Sequence, residues 1–407
     1  MGKEETASGF EFPNCRVHIT TVPMRELFGW KRCTAWLVSG LLLPSVEAAS
    51  PDVSFRNEVQ NSIQRGLNWL GSQQSSNGWW SVADHTAITA LALSSFQGEP
   101  TGRYASPTPA MQKGYAFLLN SVKPDGGIYV RDLPSYNTAL SIMALLGGSS
   151  ESHDSIVRRA RQYLVQLQQD RGSLGKLDTP FDGGIGYGGV QKDPDVNNTW
   201  TALQALHHSR HLIADQGNQA GKDLNWQAAI HFLESCQNSP TRNSQAWVSQ
   251  DPQDRDGFIY YPGRSMAGGE TNAATGKISL RSYGSISYAG LLSFIYADLK
   301  KDDPRVKGVM EWLSVHYTLD ENPGMGQQGL YYYLHLLAKG LTAAGVDEVP
   351  LATGTSAPWR RDLALRLMSL QTRDGSWANA NPRWWEKDPV LVSCYAMLAL
   401  ETVWRGL

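Results

Sequence analysis

The sequence has little of several things that would point directly to a function. It has no excess of one charge: 36 Lys and Arg against 38 Asp and Glu leave a net charge of −2. The basic residues come in isolated pairs such as Lys300-Lys301 and Arg360-Arg361. Without a basic stripe there is no electrostatic footprint for nucleic acid or an anionic membrane, so nucleic-acid binding is set aside. Four cysteines in 407 residues are no disulfide framework. There is no Gly-rich phosphate loop, no nucleophile elbow and no Cys-x-x-Cys, and these signals are specific enough for their absence to count. The apolar run from Cys33 to Val46 contains Pro44 and falls short of the ~20 residues a membrane helix needs. An integral membrane protein is not expected.

That short run has another meaning. Met24-Arg25 and Lys31-Arg32 precede it, and Val46-Glu47-Ala48-Ala49-Ser50 supplies small residues where a signal peptidase cuts. This is the pattern of a secretory signal, so residues 1–49 are expected to be an N-terminal extension, with Met24 a candidate start. The mature chain is then expected to be secreted or periplasmic. Cleavage would remove Cys15 and Cys33 and leave Cys236 and Cys394, which could form one disulfide or none.

What the chain does contain is aromatic residues and a repeat. Fourteen Trp and sixteen Tyr call for aromatic packing between helices or an aromatic-lined cavity. From residue 55 a unit recurs: an amphipathic segment with an aromatic-Leu pair, often a Gln, an Asp/Asn-Gly-aromatic turn, then an Ala/Leu-rich segment opened by Thr or Ser. The first copy carries Trp69-Leu70, Gln74, Asn77-Gly78-Trp79 and Thr86; the second Phe117-Leu118, Asp125-Gly126 and Thr138. The third carries Tyr163-Leu164, Gln168, Asp182-Gly183 and Thr199, and the fourth Phe232-Leu233, Gln237, Asp256-Gly257-Phe258 and Ser285. A degenerate fifth follows Trp312-Leu313, and the sixth carries Leu370-Gln371, Asp374-Gly375-Ser376-Trp377 and Ser393.

In each unit the first segment is apolar at helical spacing and the second is apolar nearly all round. The pattern predicts an all-α fold, a single α/α toroid of six helical hairpins covering 55–405, with amphipathic helices outside, apolar helices inside and no sheet core. Residues 98–109, 213–222, 239–280 and 343–357 read as insertions, which in repeat folds tend to gather on one functional face.

The repeat resembles the prenyltransferase and squalene-oxidase repeat of squalene and hopene cyclases, protein prenyltransferase β subunits and their bacterial relatives. The resemblance covers nearly the whole mature chain, and Leu370 to Trp377 is similar to the Gln-Trp motif of the cyclases. In those cyclases an inner helix opens with Asp-x-Asp-Asp-Thr, whose middle Asp protonates the substrate. Asp195-Val196-Asn197-Asn198-Thr199 occupies that pattern with Asn197 in place of the acid, and an amide has no proton of useful acidity. Asp195 and Asp84, in Asp84-His85-Thr86 of the first copy, are the remaining candidate acids, and both also suit helix capping. The prenyltransferase resemblance implies a zinc site of Asp, Cys and His. The fourth unit, Tyr283 to Leu292, holds no Asp-x-Cys, and the fifth reads Tyr331-Tyr332-Tyr333-Leu334-His335. No metal and no cofactor is therefore expected, and His207, His208 and His211 lack an acidic or thiol companion in sequence.

Tyr260, Tyr261, Tyr283, Tyr288, Tyr331, Tyr332, Tyr333, Trp384 and Trp385 are the candidate cavity aromatics. The expectation is a repeat barrel that binds an apolar, isoprenoid-like ligand or a protein partner without the family's known catalysis. The alternatives are an active cyclase or transferase using another acid, and a glycan lyase or hydrolase on a similar barrel with Asp254, Asp256 and Glu270 as candidate carboxylates.

Overall fold

The structure is a computed structural model and describes residues 51–148, 151–214 and 223–407. Residues 1–49, the expected N-terminal extension, lie outside the described residues, as do 215–222 of one insertion. The helices alternate between two rings. The outer ring is α1 (Pro51–Ser72), α3 (Pro109–Asn120), α5 (Asp154–Gln166), α8 (Trp226–Cys236), α10 (Pro304–Val315) and α12 (Trp359–Leu370). The inner ring is α2 (Thr86–Gly98), α4 (Pro134–Gly147), α6 (Val196–His208), α9 (Gly284–Tyr296), α11 (Leu330–Ala343) and α13 (Pro389–Trp404), with a short α7 (His211–Ala214) following α6. Each inner helix packs on the next, and α13 packs back on α2, so the ring closes. The six strands among the described residues form three separate two-stranded hairpins, not a core.

The inner helices are buried on nearly all sides because both faces are covered, one by the outer ring and one by the bore. All but a few residues of α9 and α13 are buried, whereas α12 buries only Trp359, Leu363, Ala364 and Leu367. This is the division that the two apolar patterns predict.

The repeated Gln, Gly and Ser/Thr set the start of each inner helix. Gln74 Nε2 donates to the Gly78 carbonyl at 2.9 Å and to the Ala110 carbonyl of the next outer helix at 2.8 Å. Gln168, Gln237 and Gln371 repeat the clip, and Gln371 reaches Ser62 on α1, tying the sixth unit to the first. The turn glycine is needed for two reasons at Gly78 and Gly375. Their φ angles are +99° and +98°, and an added Cβ would lie 2.5 and 2.6 Å from a carbonyl of the neighbouring outer helix. The backbone N–H after the turn then donates to an inner-helix hydroxyl: Trp80 to Thr89, Ile128 to Thr138, Ile185 to Thr199, Phe258 to Ser287 and Trp377 to Ser393.

Thr86 and Ser285 open their helices, as the pattern predicts, but the hydroxyl that takes this bond lies further in, at Thr89 in the first unit and Ser287 in the fourth. Helices of one apolar character hide a shift of a few residues; the hydrogen bond reveals it. The insertions also differ from expectation. Residues 98–109 and 343–357 follow inner helices, whereas 239–280 precedes one, so these three insertions divide between the two ends of the toroid. Cys236 and Cys394 are both buried and free.

Candidate functional site

Aligned on the anchoring hydroxyl, the residue two positions earlier is Ala87, Tyr136, Asn197, Ser285 or Leu391. All five line one cavity of about 340 Å³ at the starts of the inner helices. The repeat turns that position into the bore, and each unit contributes a different side chain there. Tyr332 and Tyr395 close the cavity below, Tyr187, Tyr260 and Tyr283 line one wall, and Trp384 and Trp385 stand at its mouth.

The mouth is a strained strap. Trp384 and Trp385 have φ of +54° and +68°, a region costly for residues with a Cβ. Glu386, 1% exposed, holds the strap by accepting from the Tyr332 amide at 2.8 Å and from Asn379 at 2.6 Å. Its carboxylate thus caps the start of α11, where the helix dipole favours negative charge. Trp385 meets His85 edge-on at 4.5 Å, yet the two indoles remain 39% and 48% exposed.

Asn197 faces the cavity with its carbonyl oxygen taken by the Tyr332 hydroxyl, which in turn accepts from Trp200 Nε1 at 2.7 Å. Asp195 does not line the cavity. It is 2% exposed and caps α6, with its two oxygens accepting from the Asn198 amide at 2.8 Å and from Asn198 Nδ2 at 2.6 Å. Burial pushes its carboxyl up to about 7, against those hydrogen bonds and one from Tyr260. Burial, with the Asp195 charge beside it, likewise raises the Tyr260 phenol. Asn198 and Thr199 of the motif serve the frame, Asn198 on Asp195 and Ser135, Thr199 on Ile185.

Asp84 is not the counterpart of Asp195. His85 occupies the N-cap of α2, as Asp195 does that of α6. The Asp84 carboxylate lies 3.0 Å from Arg131 and is 45% exposed, outside the cavity. Of the nine aromatics picked from sequence, Tyr260, Tyr283, Tyr332, Trp384 and Trp385 line the cavity, and Tyr261, Tyr288, Tyr331 and Tyr333 do not. Three consecutive tyrosines on a helix point about 100° apart, so only Tyr332 reaches the bore. Tyr333 donates to the Thr318 carbonyl at 2.8 Å and packs on Tyr288. Sequence reading missed Tyr136, Tyr187 and Tyr395; the place two residues before Thr138 would have identified Tyr136.

The candidate glycosidase carboxylates are engaged apart from one another. Asp254 accepts from Ser249 and the Ser282 amide, Asp256 pairs with Arg242, and Glu270 pairs with Arg281. None lines the cavity. Among the described residues no group of three or more His, Cys, Asp or Glu could hold a metal. His207 Nδ1 sits on the Tyr296 carbonyl at 3.0 Å, and burial with Lys339 nearby lowers His208 to about 4. No described helix is long and apolar enough to cross a membrane.

No family model matches the chain. It is 27% identical over 180 residues to a terpene cyclase/mutase of Nectria, a match covering 40% of this chain and 23% of that protein. The match to each of the curated relatives spans about a quarter of the relative's length. An Arg-to-Ala variant of the type II terpene cyclase MstE from Scytonema, in complex with geranylgeranyl dihydroxybenzoate, superposes with a TM-score of 0.51 at 14% identity, covering 87% of this chain and 100% of that one. Protein geranylgeranyltransferase-I of Candida albicans gives 0.51 at 12% identity, covering 86% and 91%. At these identities the structures show the fold. Together with the repeat and the weak sequence likeness, they show an α/α toroid with the fold of terpenoid cyclases and protein prenyltransferases.

Proposed function

We propose that the chain binds an apolar, isoprenoid-like ligand in the aromatic cavity and does not carry out the superfamily's acid-initiated cyclisation. The observation that carries this reading is the cavity wall. It presents six tyrosines, two tryptophans, the amides of Asn137, Gln191 and Asn197, and His85, whose pKa burial lowers, but no carboxyl group, Lys or Arg. Aromatic faces suit an unsaturated hydrocarbon, and a wall without charge exacts no desolvation cost from it. Protonating an alkene needs a strong acid, and Asp195 is both behind the wall and weakened by burial. At about 340 Å³ the space sits at the low end of the roughly 300–1,000 Å³ typical of ligand sites, which favours a short chain over a triterpene. The signal-peptide pattern supports a secreted or periplasmic setting, checked by sequencing the mature N-terminus.

The test is incubation of the full chain with squalene and with prenyl diphosphates. Saturable quenching of tryptophan fluorescence, diminished by Trp385→Ala, with unchanged compound recovered by mass spectrometry, is the expected result. A cyclised or transferred product that disappears in Asp195→Asn would overturn the reading in favour of an active enzyme.

A further inference from the structure

The far end of the bore holds a second chamber of about 410 Å³. Tyr136, Tyr332 and Tyr395 line both spaces and form the partition between them. Beyond the partition the wall changes from aromatic to polar. Lys339 on α11 and Arg405, one residue past α13, line the chamber, and neither lies within 4 Å of a carboxylate oxygen among the described residues. Lys339 sits over the Trp200 ring at 5.4 Å. Arg405 donates to the carbonyls of Glu401 at 3.1 Å and Gly98 at 2.5 Å. Glu401 is 1% exposed and His335 6% exposed; both carboxyl oxygens of Glu401 and the Nδ1 of His335 have no hydrogen-bond partner.

Lys339, His335 and Glu401 lack polar partners in a place where partners are the rule, whereas Arg405 is exposed at the rim and held by its two carbonyls. A charge taken out of water is ordinarily paired, and a buried polar atom is ordinarily hydrogen-bonded. Burial raises the Glu401 carboxyl well above its usual range, with Glu99 adding to the effect and Arg405 opposing it, which favours the protonated form and makes it a donor. Burial, with the Lys339 charge beside it, holds the His335 ring neutral, and a neutral imidazole still carries one N–H. The free capacity of the chamber is therefore the Lys339 ammonium, an acid O–H and an imidazole N–H, with the Arg405 guanidinium at the rim. The two donors call for an acceptor and the two cations for one that carries negative charge.

We propose that this chamber is a binding site for a small oxyanion, a carboxylate or a phosphate group, seated on Lys339 with His335 and Glu401 around it and Arg405 at its rim. The site is distinct from the aromatic cavity and does not depend on the function proposed for it. The tyrosine partition separates the polar ligand from the apolar one.

The test is thermal unfolding of the full chain in acetate and in phosphate, each against chloride at matched ionic strength and pH. Once the site is saturated, a rise of roughly 2 °C per tenfold increase in anion is expected. Whichever of the two anions gives it identifies the head group. Lys339→Met abolishes the rise while leaving helix content and tryptophan quenching by an isoprenoid unchanged, and Lys339→Arg retains it. Should Lys339→Met fail to fold, Arg405→Gln takes its place, with a weakened rise expected. No such logarithmic rise with either anion, or a rise left unchanged by the loss of Lys339 or of Arg405, overturns the proposal.

Discussion

The two ends of the bore are built on different principles. At the helix starts, one set of side chains recurs: a Gln that clips the turn to the next outer helix, a Gly that lets two backbones touch, and a hydroxyl that fixes the register of the inner helix. The frame is the same in most units, so the inward position is free to vary as Ala87, Tyr136, Asn197, Ser285 and Leu391. At the helix ends no such device repeats. Connections of different length leave the inner ring there, and the chamber between them collects polar groups without partners, Lys339, His335 and Glu401 among them. Regular hydrogen bonding at one end makes a satisfied wall. Its absence at the other leaves capacity for something from solution.

The largest break in this contrast comes from the closing contact of the ring. Trp377 is fully buried; its indole N–H donates to the Leu367 carbonyl at 2.8 Å, and its amide donates to Ser393 at 2.9 Å. Its ring packs so close to Gly66 on α1 that a Cβ there would lie 2.9 Å from it. Trp377→Ala removes the packing and leaves a cavity, a loss of about 3–5 kcal/mol in urea unfolding. A loss under about 1 kcal/mol would mean the ring is closed by something else.

Asp195 gives the next largest effect, one that appears only as pH changes. Its carboxyl lies at 3.8 when exposed and at about 7 in the fold. Between those values the folded chain keeps a proton the unfolded chain has released, so the stability this group contributes is full below pH 4 and is lost as pH rises through 7. Asp195→Asn removes that slope, and the fall in stability from pH 4 to 7 shrinks by on the order of 3 kcal/mol. An unchanged slope would show that Asp195 is ionised in the fold. Gln371→Ala acts at the same end with less force. It removes donations to Ser62 and Gly375 at 2.9 and 2.8 Å and costs about 2 kcal/mol, measured by the same denaturant titration. A loss that matched Trp377→Ala would make the clip, not the packing, the main closure.

Most of the frame was legible in the sequence. Gln371, Asp374-Gly375 and Trp377 are adjacent in the chain, and their roles are local, so a repeated pattern exposes them. The aromatic cavity was half legible: Trp384 and Trp385 stand out by composition, but Tyr136 and Tyr395 become cavity residues only through the register set by Thr138 and Ser393. The same one-residue question decided that His85, not Asp84, matches Asp195. The far chamber was not legible. Lys339 looks like a solvated surface charge in sequence, and only closure of the ring brings it beside His335 and Glu401, which have no partner.

The partition between the ends gives the smallest and most informative change. Tyr395 bonds to the Tyr136 hydroxyl at 3.1 Å, stacks on His335 at 5.6 Å and packs on Tyr332 at 5.4 Å. Tyr395→Phe removes only the hydroxyl and costs about 1 kcal/mol, because the ring contacts that separate the chambers remain. If the two chambers are independent, this variant leaves both tryptophan quenching by an isoprenoid and the anion-induced rise in unfolding temperature where they were. A shift in either one, with the other ligand absent, would mean that the Tyr136–Tyr395 bond holds the partition shut. The difference between the two ends would then rest on one hydrogen bond, not on the repeat.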